Sequence, residues 1–164
     1  MINNVVVQIP CLNEESTIGD VVRGFKKKLP KAKVIVYDNN STDNSVKLAK
    51  KNGAEVILVS KKGKGNVVRR MFEENINANF FIMIDADNTY DIANIKDILK
   101  KMQDENFDMM VAKRIHSDSS AYRTGHVFGN YFFSKFVNLI FGNDITDIFS
   151  GFRIFSKRFI KTFP

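Results

Sequence analysis

The chain has 164 residues, 44% hydrophobic and 26% charged, and its 25 Lys and Arg exceed its 18 Asp and Glu by a net charge of +7. This composition supports one domain with a sizeable core and excludes an intrinsically disordered chain. A single cysteine, Cys11, excludes a disulfide framework. The basic residues are scattered and form no zinc-finger, RRM or helix-turn-helix pattern, so nucleic acid is not an expected partner. No apolar run approaches the roughly 20 residues that span a bilayer, so we expect a soluble chain that at most touches a membrane surface.

Short apolar runs alternate with segments of helical periodicity as far as residue 112. The predicted strands cover residues 4–9, 33–37, 54–60, 80–84 and 108–112. Pro10 is expected to end the first strand. The predicted helices run from Ser16 to Pro30, from Thr42 to Gly53, and over residues 66–77 and 92–103. Strands that read as continuous apolar runs, with helices between them, are typical of parallel β-α-β units. We therefore predict an α/β fold with a doubly wound, mostly parallel sheet flanked by helices.

The pattern changes after Lys113. A polar loop is followed by an aromatic-rich, helical segment over residues 127–142. The last residues, 156–163, read as a helix with nothing left to pack on. We therefore expect the chain to be truncated at its C-terminus.

Two carboxylates, Asp85 and Asp87, follow the fourth predicted strand in the stretch "DADNTY". In open α/β sheets, ligands bind outside the carboxyl ends of the strands. Carboxylates at this place can share a divalent cation that bridges a diphosphate. The alternative is turn chemistry, because Asp and Asn favour such positions.

Further polar clusters follow the first two predicted strands. In "IPCLNEE", Asn13, Glu14 and Glu15 offer acceptors, or the two glutamates enrich the first turn of the next helix. In "VYDNNSTDNS", capping by one of three residues accounts for part of the cluster, and the candidate caps are Ser41, Thr42 and Asp43. Capping does not account for Asp38, which can accept from a ribose hydroxyl or a base N–H.

Basic residues supply candidate phosphate contacts. Glycines flank Lys64 in "KKGKG", so the backbone can approach a phosphate at the start of a helix, although a flexible basic loop is an equal alternative. Arg114 and Arg123 can clamp phosphates bidentately. His116 and His126 are assigned no metal.

In combination, several stretches resemble the GT-A glycosyltransferases of family 2, in particular the polyprenyl-phosphate branch that includes enzymes like dolichyl-phosphate mannose synthase. In chain order they are "IPCLNEESTIGDVV", "VYDNNSTDNS", "GKGNVVRRMF", "DADNTYD", "FGN" and "DITDIFSGFRIFSKRF". The resemblance covers nearly the whole chain. It implies a GT-A (Rossmann-like) fold with residues 1–164 as one catalytic domain. Residues 1–112 would form the nucleotide-sugar-binding half and residues 113–164 an incomplete acceptor-side segment.

The resemblance also implies the reaction: a metal-dependent, inverting transfer of one sugar from a UDP- or GDP-linked donor to an acceptor, most readily a polyprenyl phosphate. The implied donor site comprises Pro10, Leu12, Asn13, Glu14, Asp38, Asn40, Lys64, Asp85, Ala86 and Asp87. Asp85 and Asp87 would hold Mg²⁺ or Mn²⁺. The implied contacts to acceptor or donor phosphates are Arg114, Arg123 and Arg153. The implied catalytic residues are Asp147, as base or acceptor-positioning carboxylate, and Asp87.

Membership of this branch would place the chain in cell-envelope glycan biosynthesis, in the cytoplasm at the inner face of the membrane. The "QxxRW" motif of processive synthases is absent from the sequence, which favours transfer of a single sugar. Two alternatives stay open. One is a nucleotide-sugar-binding fragment that is catalytically incomplete without a C-terminal part or a partner. The other is a receiver-like phosphoacceptor domain with Glu14, Glu15 and Asp38 as its acidic pocket. The sugar, the nucleobase and the oligomeric state are not predicted.

Overall fold

The computed structural model describes residues 4–74, 76–112 and 150–162. Its strands are β1 (Val5–Cys11), β2 (Lys33–Asp38), β3 (Glu55–Leu58), β4 (Phe80–Met83), β5 (Met109–Val111) and β6 (Arg153–Ser156). Its helices are α1 (Ile18–Lys28), α2 (Ser45–Lys51), α3 (Lys64–Glu73), α4 (Ile95–Asp104) and α5 (Lys157–Thr162). The predicted alternation of strand and helix is confirmed up to β5, with boundaries that differ by a few residues. The helix predicted over residues 127–142 lies outside the described residues.

The strands form one mixed sheet in the order β3-β2-β1-β4-β6-β5. The first four strands are parallel: β1 pairs with β2 and β4, and β2 pairs with β3. Strand β6 runs antiparallel between β4 and β5. The prediction of a mostly parallel α/β sheet is confirmed, but the sequence did not predict β6. Its partners, β4 and β5, lie far from it along the chain, so no local sequence pattern predicts the pairing.

Helices cover both faces of the sheet, as continuous apolar strands require. On one face, α1, α2 and α4 contribute buried side chains such as Phe25, Ala49 and Leu99 to the larger core cluster. On the other face, Met71 of α3 packs in a second cluster, and Phe159 of α5 packs against it. The expectation that the last helix has nothing to pack on is therefore wrong.

Strand β1 continues through Pro10 to Cys11, so the prediction that Pro10 ends this strand is also wrong. The carbonyl of Gln8 accepts from the N–H of Ile84 on the β4 side, at 3.2 Å. Alternate residues of a strand direct their backbone polar groups to the same side, so the position of the missing Pro10 N–H is also on the β4 side. The ladder with β4 ends at Gln8. The proline therefore costs no ladder hydrogen bond.

Helix α2 begins at Ser45 instead of Thr42. The carboxylate of Asp43 accepts from the backbone N–H of Ser45 at 2.9 Å and from its hydroxyl at 2.5 Å. Of the three candidate capping residues, Asp43 is thus the one that binds the first N–H group of the helix. None of the helices in the described part of the chain has the length and apolar character that crossing a bilayer requires.

Candidate active site

A cleft with a volume of about 620 Å³ opens at the carboxyl ends of β1, β2 and β4. This is the edge at which open α/β sheets bind ligands. The predicted donor-site residues in its lining are Pro10, Leu12, Asn13, Glu14, Asn40, Lys64, Asp85, Ala86 and Asp87. The structure thus gathers all predicted donor-site residues except Asp38 around one cavity, although they come from four separate stretches of sequence.

Hydrogen bonds join the loop after β1 to the loop after β2. The Asn13 N–H donates to the Ser41 hydroxyl at 2.9 Å, and the Asn13 carboxamide oxygen accepts from the Thr42 N–H at 2.8 Å. The Glu14 N–H donates to the Ser45 hydroxyl at 2.8 Å. Asn13 itself has a φ of 56°, a left-handed conformation that Asn tolerates better than most residues. Most of the polar residues after β2 therefore hold the loops after β1 and β2 together as one wall of the cleft.

Asn39 is a structural residue of the cleft that is not among the predicted donor-site residues. Its side chain is buried and donates to the carbonyls of Val59 and Lys61, at 2.8 and 2.9 Å. Its carboxamide oxygen accepts from the Gly63 N–H at 2.7 Å. Gly63 has a φ of 115° and immediately precedes α3. Asn39 thus fixes the turn that presents Lys64 to the cleft.

Asp38 does not line the cleft. Asp38 is 2% exposed as a whole residue, and its Oδ2 accepts from the Ser41 N–H at 3.1 Å. Its Oδ1 is buried without a hydrogen-bond partner among the described residues. The Asp38 carboxylate therefore closes the turn after β2, while Asn39, Asn40 and Thr42 from the same segment line the cleft. Its contact with a nucleoside stays a prediction.

The metal-ligand candidates lie at the opposite wall. Lys64 Nζ lies 2.6 Å from Asp85 Oδ1, and the Asp85 side chain is 23% exposed. Asp87 is exposed, and its Oδ1 accepts from the N–H and hydroxyl of Thr89, at 3.1 and 2.7 Å. The second oxygen of each carboxylate has no hydrogen bond among the described residues. These two oxygens are the ones available to a ligand.

This donor set fits a divalent cation. Carboxylate oxygens are hard ligands that suit Mg²⁺ and Mn²⁺. No group of three or more His, Cys, Asp or Glu residues with metal-binding geometry occurs in the part of the chain that the structure describes. Mg²⁺ in nucleotide sites is commonly held by one or two carboxylates together with phosphate oxygens of the ligand. Asp85 and Asp87 therefore match a cation that arrives with a diphosphate.

Two titratable groups of the cleft have shifted pKa values. Partial burial raises the pKa of Glu14, and the neighbouring carboxylates of Asp87 and Asp85 raise it further. Burial raises the pKa of the Cys11 thiol to about 11, and the negative charge of Asp38 adds to this effect. The Cys11 thiol is therefore neutral at neutral pH, which suits a packing residue and not a nucleophile.

The predicted acceptor-side residues are only partly described. Arg153 lies at the start of β6, where its Nε donates to the Ser150 carbonyl at 3.2 Å. Arg114, Arg123 and Asp147 lie outside the described residues, as do His116 and His126. Their predicted roles stay predictions.

Solved structures with the same architecture define the class of domain. Glucosyl-3-phosphoglycerate synthase from Mycobacterium tuberculosis, in complex with Mn²⁺, UDP-glucose and phosphoglyceric acid, superposes with a TM-score of 0.75 at 20% identity. The superposition covers 94% of this chain and 57% of that chain. The structure of the same enzyme in complex with UDP gives a TM-score of 0.74 at 19% identity. The fold is therefore the GT-A fold, as predicted.

The chain belongs to glycosyl transferase family 2, whose family model matches residues 6–163. It is 41% identical to the protein RfbJ of Shigella flexneri over 124 residues, which cover 75% of this chain and 95% of RfbJ. It is 33% identical to the glycosyltransferase AglJ of Haloferax volcanii over 155 residues, which cover 93% of this chain and 50% of AglJ. The chain thus spans nearly all of one relative and half the length of the other. The prediction of a family 2 glycosyltransferase is confirmed.

Proposed function

We propose that this chain is the catalytic domain of a metal-dependent, inverting glycosyltransferase. It moves one sugar from a UDP- or GDP-linked donor to a polyprenyl phosphate at the inner face of the membrane. The observation that carries the donor half of this proposal is the single cleft that gathers Glu14, Asn40, Lys64, Asp85 and Asp87. Support for a nucleotide-sugar donor also comes from the UDP and UDP-glucose complexes of the solved structures that share the fold.

The two walls of the cleft have different chemistry. The wall formed by the loops after β1 and β2 offers amide and carboxylate acceptors, which suit the hydroxyls and N–H groups of a nucleoside. The wall at α3 and β4 offers Lys64 and two carboxylates. Helix α3 also begins at Lys64, so its first N–H groups and positive dipole end lie beside this wall. We assign the nucleoside to the first wall and the diphosphate to the second.

In the proposed reaction, Asp85 and Asp87 would hold Mg²⁺ or Mn²⁺, which would supply positive charge for the departing nucleoside diphosphate. Lys64 exchanges its ion pair with Asp85 for a contact to a phosphate oxygen. The acceptor oxygen attacks the anomeric carbon from the face opposite the departing nucleoside diphosphate and inverts the configuration of that carbon. A lipid phosphate is already anionic and needs little deprotonation. Asp147 is assigned to the acceptor, and Arg114, Arg123 and Arg153 are assigned to the phosphate groups.

The polyprenyl-phosphate acceptor is supported by the sequence motifs and by a relative that builds glycans. The chain is 32% identical over 158 residues to a low-salt glycan biosynthesis hexosyltransferase of Haloferax volcanii, of which it covers 38%. The net charge of +7 suits an acceptor in an anionic membrane. We therefore place the chain in the synthesis of a cell-surface glycan.

Isothermal calorimetry with UDP- and GDP-linked sugars, each with and without Mn²⁺, tests the donor and the metal together. We expect one nucleotide to bind and Mn²⁺ to tighten its binding by at least about tenfold, or about 1.4 kcal/mol. Substitution of Asp85→Ala or Asp87→Ala should remove this enhancement. Asp97→Ala is the matched control, because Asp97 is an exposed carboxylate on α4 outside the cleft. The proposal is wrong if no nucleotide shows metal-dependent binding to the wild-type chain.

A second candidate function is donor binding without turnover, in a fragment that needs a further segment or a partner for catalysis. The observation that favours it is that the chain covers only half of AglJ. The receiver-like alternative has no such support. Its acceptor, Asp38, is 2% exposed and therefore closed to a phosphodonor.

A further inference from the structure

Gly151 lies directly against the carboxylate of Asp85. Strands β4 and β6 are antiparallel neighbours, with Met83 opposite Arg153. When this register is continued for two residues, Asp85 lies opposite Gly151. A Cβ atom at Gly151 would be 2.8 Å from Asp85 Oδ1 and would overlap the rest of the carboxyl group. Only glycine at this position lets the Asp85 side chain occupy its place.

The backbone of Gly151 is itself held from two sides. Its N–H donates to the Tyr90 hydroxyl at 2.6 Å. The Tyr90 ring stands edge-on to Phe152, with ring centroids 5.6 Å apart and an interplanar angle of 80°. The preceding residue, Ser150, is 3% exposed and donates its hydroxyl to the carbonyl of Ala112 at 2.5 Å. The segment Ser150–Phe152 is thus fixed both to the loop after β4 and to the end of β5.

Asp85 therefore has two different neighbours. On one side is the Lys64 ammonium, whose side chain is 58% exposed and can turn toward a phosphate. On the other side is the Gly151 backbone, which cannot move without breaking the contacts of Ser150 and Tyr90. Of the two, only Gly151 can keep the carboxylate in one place while a ligand binds.

We propose that Gly151 is a positioning residue for Asp85, and that Tyr90 holds Gly151 in turn. This inference rests on the proposed function, because it assigns Gly151 to the metal and diphosphate part of the site. Groups that orient a metal ligand typically contribute about 10- to 100-fold to metal affinity. The contacts described for Gly151 are with Asp85 and Tyr90, and Gly151 is not among the residues that line the cleft, so we expect nucleoside binding not to depend on it.

Substitution of Gly151→Ala tests the proposal through binding alone. The first ligand is Mn²⁺ with UDP or GDP, whichever the wild-type chain binds, and the second is the matching nucleoside monophosphate without metal. We expect Gly151→Ala to weaken the first ligand by about 10- to 100-fold and to leave the second unchanged. Gly19→Ala is the control, because Gly19 lies on α1 outside the cleft. The methyl group added there would also meet a side chain closely, that of Asn52 at 3.0 Å. This variant should change neither affinity.

A double-mutant cycle shows whether Gly151 acts through Asp85. Because Asp85→Ala removes the carboxylate that the new methyl would strike, Gly151→Ala should cost nothing further in that background. A full additional loss there, or an equal loss for both ligands in the single variant, would overturn the proposal. If Gly151→Ala does not fold, Tyr90→Phe removes only the hydroxyl that holds Gly151, and the same selective weakening is expected. An unchanged metal-dependent affinity in that variant would count against the role of Tyr90 and Gly151.

Failure of the proposed function would look different, because the wild-type chain would then show no metal-dependent binding. The inference is still decided in that case by a crystal structure of the Gly151→Ala variant. We expect the Asp85 carboxylate to be displaced from its wild-type position. A carboxylate that has not moved would overturn the inference.

Discussion

At the scale of single residues, the polar groups of the cleft divide into those that build it and those that can bind a ligand. Asn39 makes hydrogen bonds to three backbone groups and has no polar atom to spare. Asp38, at the end of β2, is buried beneath the turn that follows this strand. Asp85 and Asp87 instead line the cleft, and each keeps an oxygen there without a hydrogen bond among the described residues. The availability of a polar atom, more than its residue type, separates the two groups.

Cys11 gives a residue-scale prediction, because it is the chain's single cysteine and any thiol reagent reports on it alone. Cys11 is 3% exposed, and the pKa of its thiol is raised to about 11 from an ordinary value of 9.0. A shift of this size lowers the thiolate fraction at pH 8 by about 100-fold. We expect Ellman's reagent to react at least that much more slowly with the native chain than with the chain unfolded in urea.

The rate of this reaction should rise with pH until the thiol titrates near 11. The folded chain holds the Cys11 proton to higher pH than the unfolded chain does. The free energy of unfolding should therefore fall as the pH rises from 9.0 to about 11. Cys11→Ser, measured by absorbance at the same pH values, controls for reaction elsewhere. Equal rates in the native and unfolded chains would contradict a buried thiol.

At the scale of elements, hydrophobic burial holds the helices that carry the site. Helix α4 follows the loop that contains Asp85 and Asp87, and it packs on the sheet through Ile95, Leu99 and Met102. The opposite face of this helix is charged, which gives the strong amphipathic pattern that the sequence shows. The position of the loop that carries Asp85 and Asp87 thus depends on apolar contacts made outside the cleft.

Leu99→Ala is the corresponding prediction, since Leu99 is 0% exposed in the larger core cluster. Removal of its side chain leaves a cavity, and we expect a loss of about 3 kcal/mol in the free energy of unfolding. Urea denaturation followed by circular dichroism measures it. Lys96→Ala on the exposed face of the same helix should change stability by less than about 0.5 kcal/mol. Similar values for the two variants would show that α4 is not held by its apolar face.

At the scale of the whole molecule, the proposed function predicts that the chain transfers a sugar as well as binding a donor. We expect the chain to form a product with one sugar and inverted anomeric configuration when supplied with Mn²⁺, the preferred donor and a short polyprenyl phosphate. Product mass shows the number of sugars, and proton coupling constants show the anomer. Asp87→Ala should abolish transfer. Tight donor binding with no product would favour the binding-fragment alternative.

The sequence by itself determined the α/β class, the first five strands and nine of the residues that line the cleft. The reason is local: apolar runs and helical periodicity report burial within each element, and polar residues at the carboxyl ends of parallel strands must meet at one edge of the sheet. Only the tertiary structure decided the place of β6, the path of β1 through Pro10 and the burial of Asp38. These features depend on partners distant in sequence: the antiparallel pairing of β6 with β4 and β5, the end of the β4 ladder at Gln8, and the Ser41 turn over the Asp38 carboxylate. The contact of Gly151 with Asp85 is of the same kind, because 66 residues separate two positions that only the sheet register brings together.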